Sequence, residues 1–137
     1  MNKLSYWFGK SMNLISFVIK GFKTDAPTKK RMYVIVRKEL SETYRMVQGA
    51  HALAKYSLQF PDSFDWWNNG YLIFLSTFLP KSLEELNQKF FENGVRCADF
   101  REIDLSNQLT AICVFYNPSM PREARKIWKI VKNLPLA

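Results

Sequence analysis

Four short runs rich in β-branched and aromatic residues, separated by helix-patterned stretches, constrain this chain more than any other feature. The first, residues 32–37, contains Tyr33-Val34-Ile35-Val36-Arg37. Its low polarity suits a strand covered on both faces. Residues 71–78 and 109–116 read as strands in the same way, and residues 95–101 as a weaker one. Ser41 is placed to cap a helix running to about Gln59. The apolar stripe expected on that helix is Met46, Gly49, Ala50, Leu53 and Ser57, with Val47, Ala54 and Leu58 beside it. Pro61 follows its end, and residues 65–70 read as a turn carrying Trp66 and Trp67. Ser82-Leu83-Glu84-Glu85 reads as a capping box, opening a helix that stops at Asn93-Gly94. Pro121 suits the first turn of a last helix over residues 122–133, with Ala124, Ile127, Trp128 and Val131 inward.

The order β-α-β-α-β-β-α predicts one α/β domain over residues 32–137. The expected sheet is four-stranded, mixed and mostly parallel, with helices on both faces. Binding sites in such sheets lie at the carboxyl ends of strands. That points to the loop after the first strand and to the loop around Asp104.

Residues 1–31 stand apart as a basic leader and linker. Apolar residues at 4, 7, 8, 12, 15, 18, 19 and 22 mark one face of a helix. Lysines interrupt the stretch, and it is too short to span a membrane. Such a helix lies on a membrane surface, acts as a targeting leader, docks on a protein partner or packs on the domain that follows.

The net charge of +8 is unevenly spread. Residues 1–31 carry seven basic groups against one acid, residues 122–137 carry five against Glu123, and residues 32–121 carry eight against ten. The two ends therefore suit a polyanion such as RNA, or an acidic membrane surface.

The chemistry-bearing residues fall in two runs. The only histidine, His51, lies in Gln48-Gly49-Ala50-His51-Ala52. The second run is Asp104-Leu105-Ser106-Asn107-Gln108-Leu109-Thr110. If Asp104 orients His51, the imidazole becomes a general base for water. Gln48 sits one turn before His51 and shares its environment. Asn107 and Gln108 bind a ligand or close the loop, and Thr110 is a ligand contact or a simple β-former. Tyr44, Trp66, Trp67 and Tyr71 fall near loops, where rings stack nucleobases or enter the core. One histidine and no His/Cys cluster argue against a metal site, and no Gly-rich phosphate loop is present. Cys97 and Cys113 lie in apolar runs and read as reduced, buried thiols of a reducing compartment.

These residues resemble the type 2 peptidyl-tRNA hydrolases. The similarity lies in a strand ending in Val36-Arg37, a helix carrying Gln48-Gly49-Ala50-His51-Ala52, then Asp104 with Asn107-Gln108, and Thr110 opening a final strand that ends in Asn117-Pro118. It covers residues 32–134. It implies the same β-α-β-α-β-β-α fold and cleavage of the ester joining a peptide to tRNA, without metal or cofactor. His51 and Asp104 would be the catalytic pair, and Gln48, Arg45, Tyr44, Asn107, Gln108 and Thr110 would bind substrate or position water. Lys29, Lys30, Arg31, Arg122, Arg125, Lys126 and Lys129 would hold the RNA backbone. The family's Gly-Lys-Gly-Lys run is replaced by Ser41-Glu42-Thr43-Tyr44, and the loop from Asp104 is one residue shorter. Two readings follow: a peptidyl-tRNA hydrolase, or a catalytically weak RNA-binding or protein-interaction module with the same fold. The expected location is cytoplasmic, or organellar or membrane-associated through the leader.

Overall fold

In the computed structural model of the chain, residues 30–116 and 122–137 are described. The expectations for the leader, Lys29, Asn117-Pro118 and Pro121 lie outside these residues. The elements are β1 (Arg31–Arg37), α1 (Glu42–Gln59), α2 (Pro61–Trp67), β2 (Tyr71–Thr77), α3 (Pro80–Glu92), β3 (Cys97–Glu102), a 3-10 turn (Ile103–Leu105), β4 (Gln108–Phe115) and α4 (Arg122–Lys132).

One four-stranded mixed sheet runs in the order β2-β1-β4-β3. β1 pairs parallel with β2, while β4 pairs antiparallel with both β1 and β3. One pairing of three is therefore parallel, which corrects the mostly parallel expectation. The reason is local: only residues 103–107 join β3 to β4, too few for a crossover, so the two strands close as a hairpin.

β1 divides its side chains between two cores by strand alternation. Met32, Val34 and Val36 pack in a cluster with Ala52 and Tyr56 of α1 and Trp67 of α2. Tyr33 and Ile35 pack in a second cluster with Leu83, Leu86 and Phe90 of α3 and Ala124, Ile127, Trp128 and Val131 of α4.

Three helices correct the sequence reading. α1 has the expected Ser41 cap, whose side chain accepts from the Tyr44 amide. Its buried stripe, however, is Gln48, Gly49, Ala52 and Tyr56, while Met46 and Leu58 are exposed. Small residues decide this: a Cβ on Gly49 would lie 2.5 Å from Phe74 and 3.0 Å from Val34, so only glycine lets the helix sit this close to the sheet. α2 occupies what reads as a turn, because Pro61 opens a short helix that Asn68 ends in the left-handed region. α3 begins at Pro80, with Leu79 at the N-cap position and no side-chain cap, so Ser82 does not form the expected capping box.

Strand directions bring four segments to one end of the sheet. The C-termini of β1, β2 and β3 and the N-terminus of β4 lie there, together with the first turns of α1 and α3.

Candidate functional site at the C-terminal end of β1

A β-bulge builds the centre of this end. β3 pairs Phe100 with Ala111 and Arg101 with Leu109, leaving Thr110 as a surplus residue. Regular alternation from Ile112 would send residue 110 toward α3. The bulge instead turns Thr110 toward α1, where its hydroxyl donates to Gln48 Oε1 at 2.6 Å. It also lies 3.3 Å from the Phe100 carbonyl. Gln48 Nε2 donates to Glu102 Oε2 at 2.8 Å. Gln48 is wholly buried, so both ends of its carboxamide need partners, and both have them.

Arg37 forms a second polar group beside the first. Its Nε donates to Glu39 Oε2 at 2.5 Å, and its guanidinium makes an ion pair with the same oxygen. Nη1 donates to Gln108 Oε1 at 2.7 Å and to the Leu109 carbonyl at 3.4 Å. A charged residue closing an apolar strand two positions before Glu39 was the sequence signal for this pair. Glu102 and Phe100 carried no comparable signal, because β3 is the weakest strand pattern in the chain.

His51 is exposed, one turn after Gln48. Its ring stacks on Phe100, with centroids 4.5 Å apart and planes 8° from parallel. Asp104 is exposed in the 3-10 turn at the mouth of the site. No hydrogen bond joins His51 to Asp104, so stacking on Phe100, not a carboxylate, holds the imidazole. Tyr44 stands over the same mouth. Desolvation holds its phenol above the usual tyrosine value, and the negative charges of Glu102 and Asp104 push it further up. It is therefore a protonated hydrogen-bond donor at neutral pH.

Two other expected ligand contacts are tied into the fold. Arg45 Nη1 donates to the carbonyls of Lys38 and Leu40 at 2.7 and 2.8 Å, pinning the β1–α1 loop. Asn107 takes a left-handed φ of 60°, as Ser106 does at 56°, and its amide donates to the Glu102 carbonyl at 2.9 Å. Both residues close the hairpin, and asparagine tolerates this backbone region well.

The expected RNA contacts do not gather here. Arg31 begins β1 at the opposite end of the sheet and Lys30 precedes it, with Lys30 Nζ 5.2 Å over the Trp66 ring. Arg122, Arg125, Lys126 and Lys129 are exposed on α4. Among the described residues, no group of three or more His, Cys, Asp or Glu could hold a metal ion. No helix among them is long and apolar enough to cross a membrane. Cys113 is buried, which pushes its thiol far up, and Cys97 Sγ donates to Asn87 Oδ1 at 3.3 Å.

No family model matches this chain, and no curated protein does. Among solved structures, the chain is similar to a protein of unknown function from Agrobacterium tumefaciens strain C58, with a TM-score of 0.55 and 13% identity. That likeness covers 80% of this chain and 98% of the other. At this identity it concerns the fold alone.

Proposed function

We propose that the end of the sheet around Gln48 is the site of a hydrolase acting on the ester bond of peptidyl-tRNA. The observation that supports this best is the Gln48–Thr110 hydrogen bond, which joins the two chemistry-bearing runs across 62 residues of sequence. It sets the first turns of α1 against the hairpin that carries Asp104. His51 then stands at the edge of the polar cluster, exposed to water and oriented by Phe100. In this reading His51 is the general base that takes a proton from the attacking water. Asp104 reaches it through a bridging water. The Tyr44 hydroxyl stands where the resemblance places lysines, and it donates to the ester oxygen as negative charge develops there. Gln48, Thr110 and Glu102 hold the base's helix against the hairpin and do not touch the reacting atoms.

A single-turnover assay on peptidyl-tRNA tests this. His51→Ala is expected to lose about 100-fold or more in rate, the usual size of a general-base contribution. Asp104→Ala should lose less. A His51→Ala chain that cleaves at the wild-type rate would sink the assignment.

One observation favours a second reading: His51 and Asp104 are not bonded, and the lysine-bearing run of the resemblance is absent. On that reading the domain binds RNA without cleaving it. Tight RNA binding with no turnover, weakening steeply as salt rises, would select it.

A further inference from the structure

The junction of β2 and α3 holds features that ester cleavage does not use. α3 opens with Pro80, has no side-chain cap and carries no acidic residue in its first turn. Pro80 has no N–H and the Ser82 amide donates to the Leu79 carbonyl at 3.0 Å, so the Lys81 amide and the positive end of the dipole are left for another acceptor. Beneath that turn lies Thr77, the last residue of β2. Ile73 and Leu75 precede it at strand spacing and pack in the α3–α4 cluster, so alternation turns Thr77 to the same side. Thr77 is only 2% exposed, yet its hydroxyl has no hydrogen-bond partner among the described residues. A buried hydroxyl left unmatched costs stability, and this one lies at an uncapped helix start where an acceptor would satisfy it.

Three basic residues lie on the segments that meet at this junction. The neighbour of Thr77 in the parallel register is Arg37, whose side chain is nearly buried. Lys38 Nζ lies 5.6 Å over the ring of Phe78, the residue after Thr77. Lys81 is the second residue of α3, where it pairs at 3.7 Å with Glu85 one turn on. The one acid at Arg37 is Glu39, a half-exposed loop residue that holds two of its guanidinium nitrogens through a single oxygen.

We infer that this corner binds a phosphate group. The Thr77 hydroxyl, the Lys81 amide, Arg37 and Lys38 take its oxygens. Glu39 is the internal carboxylate that occupies Arg37 until the phosphate displaces it. An arginine fork matches phosphate as well as carboxylate, so the exchange needs only a swing of the β1–α1 loop.

The test is an NMR titration of the isotope-labelled full chain with inorganic phosphate, AMP and adenosine. Phosphate and AMP should shift the amides of Thr77 and residues 81–83 saturably, and adenosine should not. Tighter binding of AMP than of phosphate supports a nucleotide as the source of the group; equal binding supports free phosphate. Thr77→Val should weaken phosphate binding about tenfold, the loss expected for one hydrogen bond to a charged group. It should not lower the melting temperature, because it removes an unpaired buried hydroxyl. Glu39→Gln should tighten binding about fivefold by freeing Arg37 of a competing charge. No saturable shift at the opening of α3, or equal affinity in wild type and both variants, overturns the inference. These readings involve no turnover, so a chain that fails to cleave peptidyl-tRNA leaves them unaffected.

Discussion

The two faces of the sheet both carry apolar clusters but differ in what else they bury. On the α3–α4 face, Trp128 sits among Tyr33, Phe90 and Tyr116, with ring centroids 5.3, 5.5 and 5.1 Å away. Its indole N–H has no acceptor among the described residues, so this cluster holds by apolar burial and ring packing. On the α1 face Gly49 brings the helix close to the sheet, and Gln48 and Thr110 occupy the contact and satisfy one another. One face gains its stability from area. The other accepts buried polar groups and gains a fixed relation between a helix and a hairpin.

The largest effect that would break this comparison lies on the apolar face. Trp128→Ala should cost about 3–5 kcal/mol of stability, the range for removing a large buried ring. Trp128→Phe should cost clearly less, because the lost N–H was unpaired. Urea unfolding of both variants checks this, and equal losses would show that the indole N–H matters after all. A smaller effect is expected from Gln48→Met, which keeps the volume but strips partners from Thr110 and Glu102. It should cost about 2 kcal/mol. It should also slow the proposed hydrolysis, although His51 is untouched. A loss of activity without a loss of stability would move Gln48 from a positioning residue to one that touches substrate.

The smallest effect is absent near neutrality. Burial pushes the Tyr56 phenol on the α1 face up to about 12, against a hydrogen bond with Ser63 that lowers it. A raised tyrosine is stabilised in its neutral form, so its contribution is intact below the ordinary value near 10. That contribution fades as pH rises from there through 12. The denaturation midpoint should therefore fall across that window in the wild type, and Tyr56→Phe should flatten the fall.

Much of this arrangement was legible in the chain. Strand patterns placed β1, β2 and β4 to within a residue or two, and the inward residues of α4 follow from their helical spacing. The polar core was not legible, for a physical reason. A hydropathy pattern places a glutamine outside, so the α1 stripe is expected through Met46, Ala50 and Ser57, with Leu58 beside it. Gln48 is inside only because Thr110 and Glu102 meet it, and those partners lie 62 and 54 residues away. The missing cap of α3 was hidden likewise: Ser82 with Glu85 fits the capping pattern, but Pro80 starts the helix two residues earlier. The runs carrying His51 and Asp104 meet through Gln48 and Thr110. The absent bond between His51 and Asp104 was not legible, since the ring that holds His51 belongs to the strand with the faintest pattern.

The bulge in β4 has a consequence for how such a site is gained or lost. Thr110 is one surplus residue between Leu109 and Ala111, which already lie on opposite faces of the sheet. Loss of a single codon would return the hairpin to regular pairing with those two side chains still on their own faces. Only the hydroxyl that meets Gln48 would disappear. Fold and site are thus separable in one small genetic step, and a lineage could keep the first while shedding the second.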